Sequence, residues 1–93
     1  MAQNNSKDKV VVKKHYYKSG ALWWETPYVN GEMHGIEKGY YESGALWWET
    51  PYVDGKKHGI EKNYDKDTSN IARLELYDKG RIVPLLWNLE NNV

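Results

Sequence analysis

The 93-residue chain has no cysteine, no phenylalanine, two arginines (Arg73 and Arg81) and no net charge, its 13 basic residues balancing 13 acidic ones. Without cysteine no disulfide can staple the fold. That usage fits a reducing compartment, and a cytoplasmic location is expected. Charge balance argues against a strongly basic nucleic-acid binder and against an acidic mimic of DNA. Two arginines leave few candidates for bidentate reading of phosphate or guanine, so direct nucleic-acid binding is not expected. No apolar run approaches the roughly 18 residues of a membrane helix, and the opening MAQNNSKDK lacks the apolar stretch of a secretory leader. No membrane attachment is expected.

What the chain does have is rings with polar atoms: five tryptophans and eight tyrosines. Such rings suit half-wet surfaces and interfaces better than a dry core. A chain of this length makes one domain and buries only roughly 60–65% of its unfolded surface. Its most informative feature is an internal repeat. Residues 19–42 (SGALWWETPYVNGEMHGIEKGYYE) are followed by residues 43–66 (SGALWWETPYVDGKKHGIEKNYDK), identical at 18 of 24 positions. A strict repeat stacks one small unit beside itself and sets equivalent side chains in a ladder. That arrangement suits gripping a partner more than it suits catalysis, which assembles unlike residues at one point.

Turn signals punctuate the repeat. Asn30-Gly31 and Asp54-Gly55 supply the positive φ angles of a two-residue hairpin, and Ser19-Gly20 and Ser43-Gly44 mark the opposite ends. Helical periodicity is absent, and Trp, Tyr and Val favour strands. The expectation is an all-β fold: one extended, twisted antiparallel meander of stacked hairpins with six to seven strands. These run over residues 10–17, 22–29, 35–41, 46–53, 59–64 and 71–77, with a further strand over 82–86. Residues 1–9 are expected to be disordered and 10–82 to form the repeat domain (units 19–42, 43–66 and a degenerate 67–82). The apolar residues 83–93 either cap the sheet or anchor a partner. Pro84 limits regular pairing there.

A two-residue turn at Asn30-Gly31 places Leu22, Trp24, Thr26 and Tyr28 on one face, opposite Met33, Gly35, Glu37 and Gly39. Trp23, Glu25, Pro27 and Val29 then share the other face with His34, Ile36, Lys38 and Tyr40. The second unit repeats the pattern with Trp48 and Tyr52 over Gly59. One tryptophan of each pair is expected to be core and the other exposed, with Trp23 and Trp47 the favoured exposed pair. Large exposed rings mark interaction surfaces. The candidate partner-binding residues are therefore Trp23, Trp24, Glu25, Tyr28 and Tyr40, then Trp47, Trp48, Glu49, Tyr52 and Tyr64, and Trp87 in the tail.

Catalytic and metal chemistry find little support. His34 and His58 are copies of one position, and no cysteines or close histidine pairs complete a ligand set. Glu25 and Glu49 are likewise one residue copied, without the unlike environments that separate an acid from a base. No phosphate loop, nucleophile elbow or dinucleotide fingerprint is present. No cofactor is expected. Lys13, Lys14 and Lys18 with His15 read as the solvated edge strand of a sheet.

The run Gly20-x-Leu22-x-x-Glu25-x-x-Tyr28-x-Asn30-Gly31-x-x-x-Gly35-x-x-Lys38-x-Tyr40-Tyr41-x-x-Gly44 resembles the MORN repeat in its bacterial variant form. The second copy matches until Asp65 replaces the second tyrosine, and the likeness covers residues 16–82. It implies β-hairpins stacked in one extended sheet, and a scaffold, dimerisation module or protein-binding surface. Small bacterial variants are often grouped with antitoxin-like proteins, and lipid binding has been proposed for the family. The Trp pair and Glu-Thr-Pro depart from the generic pattern. Together these readings point to a non-catalytic inhibitor that blocks a partner protein, an enzyme or nuclease. It would be antitoxin-like, or a phage-encoded inhibitor of a host defence nuclease such as an anti-CRISPR. The alternative is a scaffold that forms a homodimer through its aromatic face.

Overall fold

The computed structural model describes residues 7–84, which form one open, all-antiparallel β-sheet without helices. Its strands are β1 (Val10–Tyr16), β2 (Leu22–Val29), β3 (Glu32–Met33), β4 (Gly35–Tyr40), β5 (Leu46–Val53), β6 (Lys56–Lys57), β7 (Gly59–Tyr64), β8 (Ile71–Asp78) and β9 (Arg81–Val83). The order across the sheet is β1-β2-β4-β5-β7-β8-β9, with β3 beside β2 and β6 beside β5. The last strand is shorter than the expected 82–86, of which residues 85 and 86 lie outside the described residues. So do residues 87–93, including Trp87, and residues 1–6.

The turns follow their chemistry. Asn30 and Gly31 (φ 50° and 88°) and Asp54 and Gly55 (φ 49° and 83°) adopt the left-handed pair that a type I′ hairpin requires. Lys79-Gly80 does the same in the third unit. At the opposite ends, Gly20 N–H donates to Tyr17 O and Gly44 N–H to Tyr41 O (2.9 and 2.8 Å). The third such turn carries one extra residue. Asp65 absorbs it by accepting the N–H groups of Asp67 and Thr68 (2.8 and 3.0 Å), and these bonds hold its carboxyl below the usual range.

Two irregularities recur in each unit. The first is a register slip inside the hairpin. Tyr28 and Val29 pair with Met33 and Glu32 as a two-residue turn dictates, but Trp24 and Glu25 pair with Gly39 and Lys38. The slip of two residues falls at His34-Gly35 and preserves the face of every side chain while changing its partner. Pro27 explains where it falls. A proline inside a strand lacks a ladder donor, so the pairing breaks beside it. Pro27 O still accepts His34 N–H (3.1 Å), and the Pro27 ring lies 3.0 Å from where a Gly35 Cβ would stand. Pro51, His58 and Gly59 repeat this arrangement.

The second irregularity is a β-bulge. His15 pairs with Trp24 but Tyr16 with Leu22, so Trp23 is the extra residue. Trp47 is the extra residue in β5 and Ala72 in β8. A bulge sets two residues against one and cancels the alternation of faces. This corrects the expected placement of Leu22 and Trp23. Leu22 joins the face of Tyr16, and Trp23 meets Trp24 edge to face at 4.6 Å and 80°. Trp47 and Trp48 meet likewise at 5.2 Å and 73°.

The sheet is a single layer, and no apolar side chain among the described residues is fully buried. The most buried side chains are Thr26 and Thr50, at 3% and 1% exposure. Their face, the threonine face, also carries Trp24, Tyr28, Glu37, Trp48, Tyr52 and Glu61. The opposite, proline face carries Val12, Glu25, Pro27, Ile36, Tyr40, Pro51 and Ile60. Burial here comes from neighbouring strands: the Trp48 ring lies flat over Gly39, where a Cβ would fall inside the ring. Gly39 is not held in the left-handed region, so its role is space alone. Gly39→Ala is expected to destabilise the sheet by about 1–3 kcal/mol through overpacking, measured as a lowered midpoint in urea.

Candidate interaction surface

On the threonine face the aromatic residues form covered stacks. His15 lies parallel to Trp24 at 4.1 Å, Tyr17 to Trp23 at 5.1 Å and Tyr41 to Trp47 at 4.8 Å. The Tyr17 and Tyr41 hydroxyls donate one unit onward, to Tyr40 O and Tyr64 O (2.7 and 2.6 Å). Glu37 joins two units, accepting from Thr26 Oγ1 at 2.7 Å and Trp48 Nε1 at 3.1 Å. Glu61 accepts from Thr50 Oγ1 (2.7 Å) and from Lys57 Nζ (3.2 Å), which also stands 4.7 Å from the Tyr77 ring centre. Desolvation lowers the Lys57 pKa, but the Glu61 bond and charge outweigh it and raise the pKa overall. In the third unit Arg73 holds the tryptophan position and binds Glu75 at 2.7 Å.

The proline face is organised in three rows. In the first, Tyr40 and Tyr64 donate to Glu25 Oε2 and Glu49 Oε1 (2.8 and 2.6 Å). In the second, charges alternate strand by strand as Lys14, Glu25, Lys38, Glu49 and Lys62. In the third, Val12 stands opposite Pro27, Ile36 opposite Pro51 and Ile60 opposite Leu76. This aliphatic row is open to solvent, with Val12, Ile36 and Ile60 at 49%, 50% and 43% exposure.

The sequence-derived candidates therefore divide between two faces. Trp23, Trp24, Trp47 and Trp48 lie on the threonine side, half-covered by neighbouring rings, and Tyr28 (beneath the Lys13 ammonium) and Tyr52 share that side; Glu25, Tyr40, Glu49 and Tyr64 lie on the other, bonded in pairs. Trp87 falls outside the described residues. Among the described residues no tryptophan is core: Trp23 is 37% exposed and Trp24, Trp47 and Trp48 are half-buried. The expected split of each pair into one core and one exposed ring fails because the bulge sets both rings on one side. The most exposed recurring apolar residues are instead Ile36 and Ile60, which attention to rings passed over. Their identical place in both units, beside the prolines, was the signal.

Glu25 and Glu49, like Glu37 and Glu61, are occupied as hydrogen-bond acceptors. Among the described residues no three His, Asp or Glu side chains converge as a metal-ligand group. What the arrangement can do chemically is present a ribbed, mixed apolar and charged surface to another molecule.

Burial, the Glu25 hydrogen bond and the charges of Glu25 and Glu49 push the Tyr40 hydroxyl from 10.0 up to about 12. The fold thus favours the neutral hydroxyl. Its contribution is complete below pH 10 and is lost as pH rises through about 12. Stability is expected to fall across that window in the native chain and to fall less in Tyr40→Phe, with Tyr64, also raised, supplying part of the remaining slope. At neutral pH the same substitution is expected to cost about 1 kcal/mol by leaving Glu25 without its donor. Denaturant titrations at several pH values check both. No family model, no curated protein and no solved structure matches the chain.

Proposed function

We propose that this chain is a non-catalytic module that binds another protein through its proline face and blocks or holds it. The observation that carries the reading is the exposed Val12, Ile36 and Ile60 row, repeated at one position of successive units. Equivalent residues two strands apart lie about 9.6 Å from one another, so the row spans a surface rather than a point. An exposed apolar stripe beside alternating charges has the make-up of a binding patch with a polar rim. The likeness of the repeats to the bacterial MORN variant supports the same reading, since that family serves as scaffold and protein-binding surface. The partner class is an enzyme or nuclease held inactive, as by an antitoxin or an inhibitor of host defence.

A second reading is a homodimer through the same face. The alternating Lys and Glu row favours it, because a two-fold axis offset by one strand can set each glutamate against a lysine of the other copy. Light scattering separates the two: a monomer mass that does not change with concentration removes the dimer.

The Ile36→Ser/Ile60→Ser variant is expected to lose partner capture and inhibition of the captured enzyme while keeping its melting temperature within a few degrees, about what surface changes allow. Trp47→Ala is expected instead to destabilise the fold by about 1–3 kcal/mol, since it uncovers Tyr41 and Trp48. Capture unaffected by the isoleucine changes would remove the proline face as the binding surface.

A further inference from the structure

The repeat places β1 at the position of β4 and β7, but with different chemistry. Lys13 stands where Glu37 and Glu61 stand, and Lys14 where Lys38 and Lys62 do. Lys38 lies between two carboxylates, Glu25 on one side and Glu49 on the other. Lys14 has Glu25 on one side and, among the described residues, no strand on the other. Every residue of β1 is exposed, including Val10 at 66%.

Among the described residues the backbone groups along this edge also have no partner strand. Asn30 N–H donates to Lys9 O, so the backbone of Lys9 faces β2. Alternation then turns the N–H and C=O groups of Val10, Val12, Lys14 and Tyr16 outward, away from the sheet. Beside this edge, on the threonine face, lies a hollow of about 190 Å³ lined by Lys9, Val11, Lys13, Tyr28 and Gly31. Charge is polarised along the chain in the same sense. Residues 1–18 hold five lysines and one aspartate, net +4, whereas residues 19–93 hold eight basic and twelve acidic residues, net −4.

We propose that the β1 edge is a docking site for an extended acidic segment of a partner protein, which adds to the sheet as an antiparallel strand with carboxylates opposite Lys13 and Lys14. The inference rests on the reading of this chain as a protein-binding module and names the partner's chemistry. Main-chain bonds to Val10, Val12, Lys14 and Tyr16 supply register, and the two lysines supply selectivity. Charge decides among the occupants. A second copy would bring its own Lys13 and Lys14 against these two lysines, which like-charge repulsion opposes. Nucleic acid would leave the outward ladder of donors and acceptors unused, and neither arginine of the chain lies on this strand.

The test is a backbone amide NMR titration of the full chain with a blocked eight-residue peptide carrying an adjacent Glu-Glu pair flanked by Val and Thr, so that one carboxylate falls on each face, and with its Gln-Gln counterpart. Shifts confined to Val10, Val12, Lys14, Tyr16 and their β2 neighbours, with the Glu peptide favoured, are expected. Lys13→Glu/Lys14→Glu is expected to weaken that binding about tenfold or more, and salt to weaken it in the native chain. Equal shifts with the Gln peptide, shifts elsewhere, or none would overturn the proposal. So would shifts of the same amides on raising protein concentration alone, which would assign the edge to a second copy. Stronger displacement by a single-stranded oligonucleotide than by the peptide would assign it to nucleic acid. The Ile36→Ser/Ile60→Ser variant is expected to bind the peptide as the native chain does, so loss of the proline-face function and loss of edge docking are separate results.

Discussion

Everything in this fold depends on one constraint: the described residues form a single-layer sheet, with no second layer among them to cover its side chains. Each ring must be covered by a neighbour in the same sheet, from the adjacent strand or the adjacent residue. Trp48 meets this by lying on Gly39 and donating to Glu37, so one side chain both fills the space of a missing Cβ and ties two units together. Where β1 replaces that glycine with His15, the Trp24 ring stacks on imidazole instead. The absence of phenylalanine follows the same logic. A ring that stays half-wet gains from a hydroxyl or indole N–H: Tyr17, Tyr41 and Trp48 use theirs between units, Tyr40 and Tyr64 within one.

The two local irregularities serve this constraint. In the first two units the bulge sets adjacent tryptophans side by side, giving self-covering blocks of four rings (His15, Tyr17, Trp23, Trp24) and three (Tyr41, Trp47, Trp48). The proline breaks the ladder where Gly35 or Gly59 must turn, and its ring packs on that glycine. Both devices use the side chain's shape more than its apolarity, which is why the most buried side chains are two threonines.

Covering the rings leaves the aliphatic residues bare. The surface open to a partner is therefore the row of Val12, Ile36 and Ile60 with its alternating charges, and the unpaired edge of β1. Under the two proposals, the face and the edge would engage two parts of one partner, an apolar patch and an extended acidic segment.

The sequence by itself determined the strands, the hairpin turns and the repeat. Those follow from residues close in the chain: the left-handed preference of Asn30-Gly31 and Asp54-Gly55, the β-branched and aromatic content, and the period of two that assigned Glu25, Pro27, Ile36 and Tyr40 to one face. Only the tertiary structure decided the bulge at Trp23 and Trp47, the slip at His34-Gly35 and which apolar side chains remain in water. Each of these depends on what the neighbouring strand offers. A bulge exists only relative to a partner strand, and a ring is covered or exposed according to whether that partner presents a glycine, a histidine or another ring.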